Sequence, residues 1–125
     1  MECLVNWDDV LKQIAVVYPS AKSVLEIGCR NGKKVQLART RGFKVLGIDE
    51  NDYSDDWKMF KVDVFCRKMP YDEIVYPDNS FEYVICPYPF CSNGNDDNIL
   101  KEVHRIGTTD YVMLFNLDNE KDSLS

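Results

Sequence analysis

Ser23-Val24-Leu25-Glu26-Ile27-Gly28-Cys29-Arg30-Asn31-Gly32-Lys33-Lys34, read on to Lys44-Val45-Leu46-Gly47-Ile48-Asp49, decides the fold. Ser23 to Ile27 is a short apolar run rich in β-branched residues that stops at Gly28, the pattern of a buried strand ending in a tight turn. Gly32 opens a helical stretch whose apolar side is Val35, Leu37 and Ala38, and Gly42 stands where a left-handed helix cap is wanted. Lys44 to Ile48 is again short and apolar, so the unit reads strand, turn, helix, strand. Its second strand ends in Asp49, close to the offset of about 20 residues from the glycine turn at which a carboxylate reaches the ribose of a nucleotide.

A chain of 125 residues makes one domain, taken here as residues 1–125, and is long enough to bury a cooperative core. Hydrophobic content of 45% and charged content of 29% are globular values and exclude a disordered chain. Lys and Arg number 15 against 21 Asp and Glu, a net charge of −6, which argues against sequence-independent binding to a nucleic-acid backbone. The basic residues Arg30, Lys33, Lys34, Arg39 and Arg41 read as a solvated helix face. Five cysteines, odd in number and never two residues apart, indicate neither a zinc knuckle nor a disulfide framework, and no metal is expected. Reduced thiols, with no early apolar run longer than Ile14 to Tyr18, fit a cytoplasmic protein that does not enter a membrane.

Glu26-Ile27-Gly28-Cys29-Arg30-Asn31-Gly32 resembles the first motif of the class I S-adenosylmethionine-dependent methyltransferases: an acidic residue, an apolar residue, then a glycine-rich turn. Arg30 departs from that pattern, since the family's second glycine falls there. A dinucleotide fingerprint would require glycines at 28, 30 and 33, and positions 30 and 33 are arginine and lysine, so a nicotinamide or other nucleotide-binding reading is the weaker one. A second match is Pro77-Asp78-Asn79-Ser80-Phe81-Glu82-Tyr83-Val84-Ile85, similar to the turn before the family's fourth strand. Its residues also argue for themselves: Pro-Asp-Asn is strong turn chemistry, and Phe81 and Tyr83 alternate into an apolar strand.

Elsewhere, Asn6 caps a first helix with Val10, Leu11, Ile14, Val17 and Tyr18 on one face. Met59 to Val64 reads as the third strand. Asp63 near its end is an adenine acceptor, as the resemblance implies, or a turn-capping aspartate; both readings stand. Cys86-Pro87-Tyr88-Pro89-Phe90-Cys91 falls at the carboxyl end of the sheet, where open α/β folds bind ligands. Amine-methylating relatives place Asn or Asp at the Cys86 position, and a thiol is a poor acceptor. Residues 95 or 96 to 106 form a helix burying Ile99, Leu100, Val103 and Ile106, ended by Gly107, and Tyr111 to Leu117 a fifth strand. His104 reads as a surface or packing residue on that helix.

The expected fold is therefore α/β, a Rossmann-like three-layer sandwich of about five mainly parallel strands in the order 3-2-1-4-5, a shortened methyltransferase fold. The resemblance implies S-adenosylmethionine as cofactor, held by Glu26, Gly28, Cys29, Gly32, Asp49, Asp63 and Cys86, with Pro87, Tyr88 and Phe90 on the substrate side of a methyltransferase whose acceptor the sequence does not name. The alternative is a non-catalytic or partner-dependent relative, which Arg30 and Cys86 favour. An exposed edge at the fifth strand is where self-association or a protein partner is expected.

Overall fold

The computed structural model describes residues 23–86 and 96–115, the side chains of 109–115 excepted. The expected first helix and the candidates Pro87, Tyr88 and Phe90 lie outside the described residues. The strands are β1 (Ser23–Ile27), β2 (Lys44–Asp49), β3 (Cys66–Lys68), β4 (Phe81–Cys86) and β5 (Gly107–Phe115), and the helices α1 (Lys33–Thr40), α2 (Ser54–Met59) and α3 (Asp96–Ile106). All strand pairings are parallel, in the order β3-β2-β1-β4-β5. The expected order and layering hold.

The alternation of side chains along a strand explains the two layers. On one face of the sheet, Val24, Val45, Tyr83 and Ile85 join Val35 and Ala38 of α1 and Trp57 of α2. On the other, Leu25, Ile27, Ile48, Val84 and Cys86 meet Ile99, Val103 and Ile106 of α3. The central strands β1, β2 and β4 are apolar on both sides because both faces are covered, as parallel sheets require. Leu100, expected on the buried side of α3, is only partly buried.

Two segments differ from expectation. The third strand is Cys66–Lys68 and not Met59–Val64. The Trp57 side chain is buried under the glycine turn, so residues 54–59 wind into a helix and Val62 follows into the same layer. The chain reaches the sheet only at Cys66, the register partner of Gly47. The helix α3 ends at Ile106, as expected, but β5 starts at Gly107 and not at Tyr111: Gly107 pairs with Phe81, and a register shift before Tyr83 accommodates the early start.

The turn before β4 is built as its residues predict. Asn79 takes a left-handed φ of 58°, Ser80 Oγ donates to the Pro77 carbonyl at 2.6 Å, and the amides of Asn79 and Ser80 donate to the carbonyls of Arg105 and Ile106. Arg105 fastens this loop to α3. It donates to both oxygens of Glu102, to Asp78 Oδ1 at 2.8 Å and to the Ile74 carbonyl at 2.7 Å. These bonds hold the guanidinium above its ordinary range and Glu102 below the usual carboxylate value.

Gly47 lets the turn after β1 settle on the sheet. A Cβ there would lie 2.7 Å from Cys29 Cβ, 2.8 Å from its Sγ and 3.0 Å from Val35 Cγ2. Gly47→Ala is expected to destabilise the fold by about 1–3 kcal/mol, the usual cost of overpacking, read as a lower urea midpoint.

Candidate functional site

The carboxyl ends of β1 and β2 carry two buried carboxylates, Glu26 at 5% exposure and Asp49 at 3%. Glu26 pairs in register with Gly47 on one side and Ile85 on the other. By alternation Glu26 and Asp49 share the sheet face that bears α1. Between them and α1 runs the turn Gly28–Gly32, in which Gly28 (φ 80°), Arg30 (φ 51°) and Gly32 (φ 88°) are all left-handed.

The turn is held from three sides. From the sheet, the Ile48 carbonyl accepts from the amides of Gly28 and Cys29 at 2.8 and 3.0 Å. From β2, Asp49 Oδ2 accepts from the Arg30 amide at 2.9 Å, while Oδ1 accepts from Asn51 at 2.9 Å. From α2, the Trp57 indole donates to the Arg30 carbonyl at 2.7 Å. Gly32 completes the contact, since a Cβ there would lie 2.7 Å from Val62 Cγ2 and 3.0 Å from Trp57 Cδ1. An ionised carboxylate offers about four acceptor positions, so Asp49 keeps capacity beyond its two amides.

Arg30 marks how the chain departs from a glycine at this position. Its backbone adopts the left-handed conformation that a glycine would take freely, and its side chain is exposed. The departure is thus one of backbone strain in an otherwise intact turn.

The remaining sequence candidates are distributed differently. Cys29 belongs to the turn, but its side chain is buried against Gly47. Its thiol is raised far above the ordinary value by the neighbouring Cys66 thiol, then by burial and by the Glu26 and Asp49 carboxylates, so it stays neutral. Cys86 ends β4 with its side chain in the α3 layer, where burial pushes the thiol up to about 12. Asp63 is exposed in the turn that leads into β3, three residues before the strand, and Met69-Pro70-Tyr71 follow the carboxyl end of β3 instead.

Two residues that sequence reasoning passed over stand at this end of the sheet. The Tyr71 amide donates to Glu50 Oε2 at 3.3 Å, and the Tyr71 ring packs on the cluster containing Ile27, Ile48 and Met69. Met69 donates its amide to the Asp49 carbonyl at 3.0 Å, which draws the segment after β3 against the end of β2. Glu50 directly follows the singled-out Asp49, which was the available signal; Tyr71 carried none, because the third strand was placed too early. His104, on α3, is exposed.

Residues 8–121 match the family described as Methionine biosynthesis protein MetW. The chain belongs to this family. Comparison with curated protein sequences finds no match. Among solved structures, it is similar to the PH0226 protein of Pyrococcus horikoshii, at 20% identity and a TM-score of 0.68, over 86% of this chain and 54% of that one. A SAM-dependent methyltransferase from Aquifex aeolicus is similar at 19% identity and a TM-score of 0.61, over 84% of this chain and 60% of that one. A putative S-adenosylmethionine-dependent methyltransferase from Methanococcus maripaludis is similar at 12% identity and a TM-score of 0.68, over 94% and 60%. The fold is that of these three structures, two of them described as S-adenosylmethionine-dependent methyltransferases, one as putative, and the chain spans roughly half to three fifths of their lengths. Among the described residues no helix is long and apolar enough to cross a membrane, and no group of three or more His, Cys, Asp or Glu could hold a metal ion.

Two measurements check this description. Arg30→Gly removes the left-handed strain at the cost of a freer unfolded chain, and a net stabilisation of about 0.5–1 kcal/mol is expected as a raised urea midpoint. The Cys86 thiol binds its proton more tightly in the fold than in the unfolded chain, so its contribution is complete below the ordinary value of 9.0 and falls away as pH rises toward about 12. Cys86→Ala should make the loss of stability between pH 9 and 11 less steep in urea titrations.

Proposed function

We propose that this chain binds S-adenosylmethionine at the carboxyl ends of β1 and β2 and acts as a methyltransferase whose acceptor is unassigned. The observation that carries the reading is the pair of buried carboxylates, Glu26 and Asp49, flanking a left-handed turn held by Asp49 itself. Burying two carboxylates is costly unless they meet donors or cations. The ligand fits that donor set: its ribose hydroxyls can donate to the acceptor positions Asp49 retains, and its ammonium group suits Glu26.

The cofactor supplies an electrophilic methyl group on a sulfonium. This chain supplies position: Gly28 and Gly32 keep the turn close to the sheet, Asp49 orients the ribose, and Glu26 orients the amino-acid end. In-line transfer needs chiefly proximity and alignment of the two reactants. Cys86 takes no part as an acceptor for a substrate amine, since its side chain lies in the α3 layer. Substrate contacts fall to Pro87, Tyr88 and Phe90 in this reading, and Asp63 is left as a turn residue.

A second reading is a relative that binds the cofactor but needs a partner to complete its substrate side. It is favoured by Arg30, a non-glycine residue with a left-handed backbone in the turn where the methyltransferase pattern has its second glycine. The edge of β5, which pairs only with β4 among the described residues, is the place for such a partner or a second copy. In either reading the chain works in the cytoplasm.

Calorimetric titration with S-adenosylhomocysteine tests the site without a substrate. Micromolar binding is expected, weakened about tenfold to a hundredfold in Asp49→Ala by loss of a charge-assisted hydrogen bond worth about 1.5–3 kcal/mol. No binding up to millimolar ligand would overturn the cofactor reading. Methyl transfer by the purified chain alone, to any acceptor, would overturn the partner-dependent one.

A further inference from the structure

On the sheet face that bears α1, the strand register sets Cys66, Gly47 and Glu26 side by side across β3, β2 and β1. Gly47 has no side chain, and the Cys29 side chain descends from the turn into the space this leaves. The position a Gly47 Cβ would take lies 2.7 Å from Cys29 Cβ and 2.8 Å from its Sγ. Neighbouring strands stand about 4.8 Å apart, so the Cys66 side chain, on the same face, starts one strand spacing from that point. Both cysteines are 3% exposed, both belong to the same cluster, and both are free thiols. The Cys66 thiol is also the strongest influence keeping the proton on Cys29. Register and packing thus bring together two thiols that are 37 residues apart in the chain.

The pairing is selective, because Cys86 lies on the opposite face of the sheet, in the α3 layer. It is also protected, since the thiolate is the reactive form and burial suppresses it. Reaction waits on opening of the turn, whose three left-handed residues include Arg30, a side-chain-bearing residue that makes the closed form strained. We infer that Cys29 and Cys66 are a redox site, at which a peroxide closes a disulfide that staples the turn after β1 to β3 in the folded chain. In the open turn the Cys29 thiolate attacks one peroxide oxygen and the O–O bond breaks. This gives a sulfenic acid and a hydroxide that leaves as water with the proton the thiol gave up. On reclosure the Cys66 sulfur attacks the Cys29 sulfur; the S–S bond forms, the S–O bond breaks, and the departing hydroxide takes the Cys66 proton. Two thiols lose two electrons, and one peroxide becomes two waters. An S–S bond of about 2.05 Å asks the side chains to turn toward each other across Gly47, where there is no Cβ to obstruct them.

The test treats the full reduced chain with hydrogen peroxide in the absence of denaturant, then alkylates the remaining thiols in denaturant and maps the peptides. The peptide holding Cys29 should be joined to the one holding Cys66, about 2 Da lighter than the two reduced peptides together. Alkylated cysteines should fall from five to three, and a thiol reductant should restore all five. Because the link closes a long loop in the unfolded chain, the oxidised protein should show a higher urea midpoint than the reduced one. Oxidation of Met59, which is 64% exposed, to its sulfoxide serves as the internal measure of peroxide dose. Absence of the Cys29–Cys66 link once Met59 is fully oxidised overturns the inference. A link that forms only above the urea midpoint, or one that lowers that midpoint, also overturns it, since the disulfide would then belong to the unfolded or distorted chain.

Discussion

Asp49 is the side chain on which the rest of the site depends. It is the last residue of β2, it is buried, and its two oxygens accept from amides on either side of it, Arg30 in the turn after β1 and Asn51 in the segment after β2. A buried carboxylate is tolerated only when its lone pairs are met, so the turn and the β2 exit are fixed in the positions that meet them. Hydrogen bonds to an ionised acceptor are stronger than neutral ones, which makes this a firm tether for a left-handed turn containing a non-glycine residue. The same group is the one proposed to orient the ligand. Structural and binding roles are therefore shared by one carboxylate, and removal of Asp49 acts on both.

Around that tether the core is arranged for close approach. Gly47 lies beneath Cys29, and Gly32 beside Val62 and Trp57, at distances that a methyl group would violate. These contacts bring the turn down onto β2 and let α1 begin directly after it. At the opposite end of the sheet, Arg105 performs a different service, linking α3, the loop at Ile74 and the turn at Asp78 through charge-assisted bonds. The upper end is shaped by close packing and the lower end by ion pairing.

Much of this was legible from residue order. The alternation of Val24 and Leu25, the glycines at 28 and 32 and the aspartate after Ile48 specify strand, turn, helix and strand because each uses a local rule of backbone or side-chain geometry. Pro77-Asp78-Asn79 specified a turn for the same reason, and Asn79 is left-handed as its type allows. The third strand was misplaced because its residues, Cys66-Arg67-Lys68, lack an apolar pattern: β3 is short, at the sheet edge, and exposed at Arg67 and Lys68. The apolar Met59-Phe60 and Val62 read as strand, yet Val62 is buried by contact with Trp57 and the turn, a tertiary effect that periodicity does not carry. Tyr71 and Trp57 escaped notice on the same ground. Their significance lies in what the chain brings beside them from 20 or more residues away.

The Trp57 indole bond joins two pieces of backbone that could not stand separately. A helix of six residues has too few internal bonds to persist alone in water, and a turn with three left-handed residues has little local preference for its shape. Each is held by the other through the indole bond to the Arg30 carbonyl and the seat of the ring against Gly32. The turn and α2 therefore form one opening unit: when the turn loosens, the helix melts with it, and amides in both share a single local unfolding free energy. Ligand binding at the turn would then slow hydrogen exchange in a helix outside the proposed set of ligand contacts.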